Sequence, residues 1–192
     1  MSDMTSIWDV FTGQASRAKD AIDWTEVYQE QLPRVYNFFR YRLGDDQTAE
    51  DLTATTFEKA WRGRERYRWD LGAFEAWLFG IARRVAADHL RRPRRDVSLA
   101  DLPDPADSDP SDPHPADGDP LAETVQRQAD LARLGVLLAQ LPPRERELIA
   151  LKYGGEMTNR AIVAVTGLSE SNVGTILHRT IGKLRAAWEE QA

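Results

Sequence analysis

From Ser98 to Pro120 the chain reads SLADLPDPADSDPSDPHPADGDP, a segment holding six of the ten prolines of the sequence. Proline removes backbone donors and closely spaced acids repel one another, so a segment of this kind is predicted to be an extended, disordered tether rather than part of a core. An interruption spanning 96–120 leaves room only for small domains on either side. The predicted organisation is an N-terminal extension (1–23), a domain over 24–95, the acidic linker and a second domain over 121–192.

The linker also explains the charge. The net charge of −6 argues by itself against a nucleic-acid partner, yet residues 96–124 carry nine acids and no base. Residues 24–95 hold fourteen bases against eleven acids, and 125–192 hold nine against seven. Each domain is therefore mildly basic, with its bases locally clustered.

The second domain contains LPPRERELIALKYGGEMTNRAIVAVTGLSESNVGTILHRTIGKLR, residues 141–185. Thr158 is placed to cap a short helix through Ala164. Gly167, Leu168 and Ser169 form a tight turn, and Ser169 caps a second helix reaching about Trp188. Two helices joined by a short glycine-containing turn make a helix-turn-helix. On the second helix Val173, Ile176, Leu177, Ile181 and Leu184 follow helical spacing and are expected to face inward. Ser171, Asn172, Thr175, Arg179 and Lys183 then lie outward, with His178 at the edge. Small polar groups near the start suit base edges, and bases further along suit phosphates. Upstream, apolar residues from Leu121 through Leu131, Leu134, Val136, Leu137, Leu138 and Leu141 predict one helix. Pro142-Pro143 opens another, carrying Leu148, Ile149 and Leu151.

In the first domain a helical pattern runs from Trp24 to Leu43, with Pro33 marking either a kink or a restart. Gly44-Asp45-Asp46 breaks it. Thr48 is read as the cap of a helix from Ala49 to about Arg62, whose buried side is Leu52, Phe57, Ala60 and Trp61. Asp51, Thr55, Glu58 and Arg62 fall on one exposed stripe, either simply solvated or a docking face for a partner. RGRERYRWD, residues 62–70, alternates arginines with Tyr67 and Trp69. These aromatics either complete the core or stack on unpaired bases. A basic amphipathic helix from about Ala73 to Arg92 follows, with Phe74, Trp77, Leu78, Ile81, Val85 and Leu90 read as core. Arg83, Arg84, Asp88, Arg91 and Arg92 form its polar side, which favours a platform for single-stranded nucleic acid. In the N-terminal extension Ile7, Trp8, Val10 and Phe11 either dock as a helical turn or belong to a flexible tail. No segment has a convincing strand pattern, so the expected fold is all-α.

The absence of cysteine excludes a disulfide framework and thiol catalysis. No apolar run approaches membrane-spanning length and no signal-peptide pattern opens the chain, so a cytoplasmic protein without membrane insertion is expected. His89, His114 and His178 stand in no metal-ligand spacing, and no nucleophile motif or phosphate-cradling glycine loop occurs. No enzyme, metal or cofactor is expected.

Together, two helical modules with a basic-aromatic loop in the first and a helix-turn-helix in the second resemble a bacterial sigma factor. LPRVYNFFRYRLGDDQTAEDLTATTFEKAWR and AFEAWLFGIARRVAADHLRR resemble region two. LPPRERELIALKY with GLSESNVGTILHRTIGKLR resembles region four. An acidic linker in place of region three matches the extracytoplasmic-function, or group four, class of the sigma-70 family. The resemblance implies that Asp51, Thr55, Glu58 and Arg62 dock on core RNA polymerase. It implies that Arg66, Arg68, Trp69 and Asp70 meet the opened minus-ten element, with Arg83, Arg84, Arg91 and Arg92 on the DNA backbone. Ser169, Ser171, Asn172, Thr175, His178, Arg179 and Lys183 would read the minus-35 element. An anti-sigma protein is a usual partner in the class. The sequence departs from the family pattern at Ala54-Thr55, where Gln-Glu is common, and at Val163, Gly174 and Ile176. The main rival is a LuxR-type regulator, which needs an N-terminal receiver or ligand domain. Residues 24–95 lack a receiver's alternating strands and acidic pocket.

Overall fold

A computed structural model of the chain describes residues 24–67, 73–91 and 120–190, the side chains of 120–125 excepted. The N-terminal cluster, Arg68, Trp69, Asp70, Arg92 and linker residues 96–119, including His114, lie outside the described residues. Those described form seven α-helices and no strand. By its contacts the chain divides into two compact units, Met1–Pro33 and Arg34–Ala192.

Helix α1, Trp24–Leu43, passes through Pro33 as one continuous helix, which settles the alternative left open by the sequence. Gly44 ends it at φ +81°, and its N–H donates to the Arg40 carbonyl at 2.9 Å. A left-handed residue there satisfies a carbonyl that the helix would otherwise orphan.

Helix α2, Asp46–Gly63, begins three residues earlier than expected, because Asp45 is its cap and Thr48 is not. The Asp45 carboxylate accepts the Thr48 N–H at 2.7 Å, so Thr48 supplies a donor to the cap. The buried face of α2 consists of Ala49, Thr53, Thr56, Phe57 and Ala60. The two threonines enter the core because each hydroxyl donates to the carbonyl four residues back, Ala49 and Leu52 respectively, at 2.7 Å. Trp61 was expected inside but is 50% exposed, and the Arg64 guanidinium lies 4.1 Å from its ring centroid. One residue beyond Ala60 is 100° around the helix, which carries the indole past the seam.

A short 3₁₀ turn, Arg64–Arg66, leads towards α3, Phe74–Arg91. Leu78, Phe79, Ala82, Val85 and Ala86 form the buried face of α3. Leu90, expected in the core, is instead exposed on the last turn. Phe38 and Phe39 of α1 and Phe79 of α3 are all fully buried, and Phe38 meets Phe79 edge to face at 5.8 Å.

Helix α4, Pro120–Gln140, buries Leu137 and Leu138 and leaves Leu131 and Val136 exposed. Helix α5, Pro143–Ile149, starts with Pro143 in its first turn, where the missing N–H costs nothing. It widens into a π-helical turn, Ala150–Gly154, closed by the Gly155 N–H on the Ala150 carbonyl at 2.8 Å. Helices α6, Asn159–Thr166, and α7, Glu170–Glu190, complete the chain. Leu148, Leu151, Met157, Ile162 and Val173 are buried.

Candidate nucleic-acid interface

The geometry of α6 and α7 is set by local hydrogen bonds. Thr158 caps α6, accepting the Ala161 N–H at 3.1 Å. Gly167 ends α6 at φ +73°, with its N–H on the Val163 carbonyl at 2.8 Å. The left-handed step turns the chain sharply, and only glycine adopts it without a Cβ penalty. The Ser169 hydroxyl then accepts the Asn172 N–H at 3.3 Å and opens α7.

On α7, Val173, Leu177 and Thr180 are buried, while Ile176, Ile181 and Leu184 are partly covered. The opposite side presents Ser169, Ser171, Asn172, Thr175, His178, Arg179 and Lys183, all exposed. Polar groups capable of reading base edges thus lie on the first two turns, with basic groups behind them.

Lys183 has a second engagement. Its Nζ lies 2.9 Å and 3.0 Å from the two Glu145 carboxylate oxygens, and the Thr180 hydroxyl donates to Oε2 of the same group at 3.1 Å. The hydrogen bond from Lys183 holds the Glu145 carboxyl below its ordinary value, against the opposing effect of desolvation and with help from Thr180. Glu145 on α5 therefore clamps the inner edge of α7. The sequence offered no signal for this role, since Glu145 sits in a run of charged residues and Thr180 reads as an ordinary polar position.

On α2, Asp51, Glu58 and Arg62 are exposed and Thr55 is partly covered. The Thr55 hydroxyl donates to the Asp51 carbonyl at 2.9 Å, and Glu58 pairs with Arg62 at 2.6 Å. This surface pair lies between exposed side chains and contributes little to stability.

Of the residues expected at melted DNA, Arg66, Arg84 and Arg91 are exposed, and Arg91 lies 3.4 Å from Asp88. Arg83 is turned elsewhere: its Nε lies 3.0 Å from Glu147 Oε1, and its Nη1 donates to the Val165 carbonyl. Tyr67 joins an aromatic cluster with its ring centroid 5.4 Å from Phe74 and 5.2 Å from Trp77. Burial pushes its phenol above the ordinary value. Beside this cluster opens a cleft of 770 Å³ lined by Arg66, Tyr67, Trp77, Thr158 and Arg160, among others. Among the described residues no group of histidine, cysteine or carboxylate side chains could hold a metal ion. No helix among them is long and apolar enough to cross a membrane.

Comparison with known proteins gives this architecture relatives. Residues 27–96 match the family described as Sigma-70 region 2, and residues 131–184 match Sigma-70, region 4. The RNA polymerase sigma factor CarQ of Myxococcus xanthus is 31% identical over 169 residues, which cover 88% of this chain and 89% of CarQ. The ECF RNA polymerase sigma factor BldN of Streptomyces coelicolor is 27% identical over 89% of the chain, which spans 62% of BldN's length. Among solved structures, the sigma factor RpoE from Bartonella quintana, in complex with the anti-sigma factor NepR, shares the fold at a TM-score of 0.64. That likeness carries 22% identity and covers 88% of this chain and 98% of RpoE. The region-two and region-four matches fall on the two modules joined by the acidic segment, and the chain belongs to the extracytoplasmic-function sigma factors of the sigma-70 family.

Proposed function

We propose that the chain directs core RNA polymerase to specific promoters, binding the minus-35 element as duplex and opening the minus-ten element. The observation that carries this reading is α7: its inner side is clamped and buried, while Ser171, Asn172, Thr175 and Arg179 stand exposed on one outer face. A rigid helix with polar groups at its start and a base behind them suits the major groove. Ser169, His178 and Lys183 border that face.

The domain assignments follow the same reading. Residues 24–95 would engage polymerase and melted DNA, 96–120 would tether, and 121–192 would bind the duplex. Asp51, Thr55, Glu58 and Arg62 make the polymerase-docking stripe. Arg66, Arg68, Trp69 and Asp70 meet the displaced strand, where an aromatic face stacks on a base. Arg84, Arg91 and Arg92 neutralise its backbone, joined by Arg83 once it leaves Glu147 and the Val165 carbonyl. The polymerase performs the catalysis and this chain none, which puts it in the cytoplasm beside the polymerase. An anti-sigma protein is a fitting regulatory partner, as the complex of RpoE with NepR illustrates for that relative.

Reconstitution tests the reading. The purified chain and bacterial core polymerase are assayed for binding and for transcription from a genomic fragment library. The expected result is binding and initiation at promoters sharing a pair of motifs. Asp51→Arg should weaken polymerase binding about tenfold, because it reverses a charge on the docking stripe. Specific duplex binding without any binding to core polymerase would instead identify a stand-alone regulator.

A further inference from the structure

The first two turns of α7 carry no cation. From Glu170 to His178 the helix reads ESNVGTILH, and Arg179 is its first basic residue. Successive residues of a helix stand about 100° apart, which sorts these side chains by direction. Measured from Asn172, Arg179 and Lys183 lie within about 20° and follow it along one line. Arg179 comes two turns later, roughly 10 Å further along the axis. Thr175 and Ile176 flank that line within about 60°, whereas Glu170 lies roughly 160° away, on the opposite side.

Asn172 is exposed, and its carboxamide makes no hydrogen bond among the described residues. Its backbone N–H is held by the Ser169 hydroxyl at 3.3 Å, so the residue is anchored at the turn while its side chain stays available. Further along, Thr180 and Lys183 are tied to Glu145, which sets the direction in which that side chain points. A carboxamide places a donor and an acceptor side by side, and these match the N7 acceptor and N6 donor of adenine in the major groove. Guanine offers two acceptors on the same edge, so the amide carbonyl would face a lone pair. Arginine or lysine suits guanine, and the opening turns of α7 have neither. Ser171 and Thr175 bring single hydroxyls, which read either kind of base. Thr175 also brings a methyl group, the complement of the thymine methyl. Ile176, partly covered, adds no polar group.

We propose that Asn172 is the base-selecting residue of α7, taking adenine by its N6 and N7 edge, with the Thr175 methyl against a neighbouring thymine. The upstream duplex element is then fixed at that step by adenine and not by guanine. Arg179, two turns behind, adds phosphate affinity without choosing a base. This base assignment rests on the duplex-binding half of the proposed function and goes beyond it by naming the residue and the base it selects.

The test uses the full chain assembled with core polymerase. Promoter duplexes are randomised over the upstream motif found in the reconstitution, and the bound fragments are sequenced. The parent should select adenine at the step read by Asn172. Asn172→Ala should lose that preference at one base pair, by roughly five- to hundredfold, and keep the others. Asn172→Arg should turn the same preference from adenine to guanine. Both substitutions leave the backbone N–H on Ser169, so circular dichroism should show unchanged helicity. An adenine preference that survives in Asn172→Ala would overturn the assignment. Equal loss at every position would do the same, by making Asn172 a support of the helix and not a reader of one base. A motif that is selected but indifferent to residue 172 sinks only the base assignment. No selected upstream motif in the parent would remove the duplex-binding reading, and the assignment with it.

Discussion

Glu145 does its work through two donors on another helix. Thr180 and Lys183 bring one hydroxyl and one ammonium to its carboxylate, 3.1 Å and 2.9 Å away, and so fix the rotation of α7 about its own axis. Lys183 is half exposed, which limits the value of its charge, and the loss on Glu145→Gln should be about 1 kcal/mol of stability at neutral pH. The folded-state carboxyl titrates below its ordinary 4.5, so its contribution is fully present above that value and disappears as pH falls through the lower folded value. Chemical denaturation of parent and variant at a series of pH values should show two curves that differ at pH 7 and converge under acid. A constant offset down to low pH would assign the loss to shape rather than charge.

Helix α7 contains glycines at positions 174 and 182, and α6 ends in Gly167. These glycines have opposite meanings. A β-carbon on Gly182 would meet nothing within 4 Å, so Gly182→Ala should stabilise the chain by about 1 kcal/mol through helix propensity alone. Gly167 has equal space around it but holds φ +73°, and alanine there should cost about 1 kcal/mol. Urea midpoints for the two variants should move in opposite directions. Legibility in the sequence differed among these elements in the same way. Thr158, Gly167 and Ser169 act through neighbours within three or four residues, and their roles could be read from spacing. Thr53 and Thr56 could not be assigned to the core, because their hydroxyls are satisfied by their own helix and leave no trace in a polar-apolar pattern. Trp61 and Leu90 misled for the converse reason: each lies near an apolar stripe, and only the position of the facing helix decides which edge is covered.

At the scale of the molecule, charge is divided between one acidic segment and two mildly basic modules. If Arg179 pairs with phosphate on the minus-35 duplex, Arg179→Ala should weaken binding across related sequences and lower the magnitude of the salt slope by about 1. Titrations at several salt concentrations would check this, and an unchanged slope would place Arg179 away from the backbone. Asp51→Arg, on the other module, should leave that slope intact. The candidate site was legible to differing depths. The outer face of α7 followed from helical periodicity, and the outward stripe on α2 from the spacing of Asp51, Thr55, Glu58 and Arg62. The engagement of Arg83 with Glu147 and Val165 joins residues 64 and 82 positions apart, and no local pattern reports a contact of that separation.

Sequence alone determined the helical class, the interruption by the acidic proline-rich segment, the helix-turn-helix and its outward residues. Each of these depends on the chemistry of neighbours within a helical turn or on composition over a short stretch. Tertiary structure decided which threonines enter the core, which apolar residues stay outside, how Glu145 clamps α7 and how Gly154 meets Asn37, whose carbonyl oxygen would lie 2.7 Å from a β-carbon there. Those outcomes depend on surfaces brought together from distant parts of the chain, where the absence of a side chain at one glycine matters only once a backbone has been packed against it.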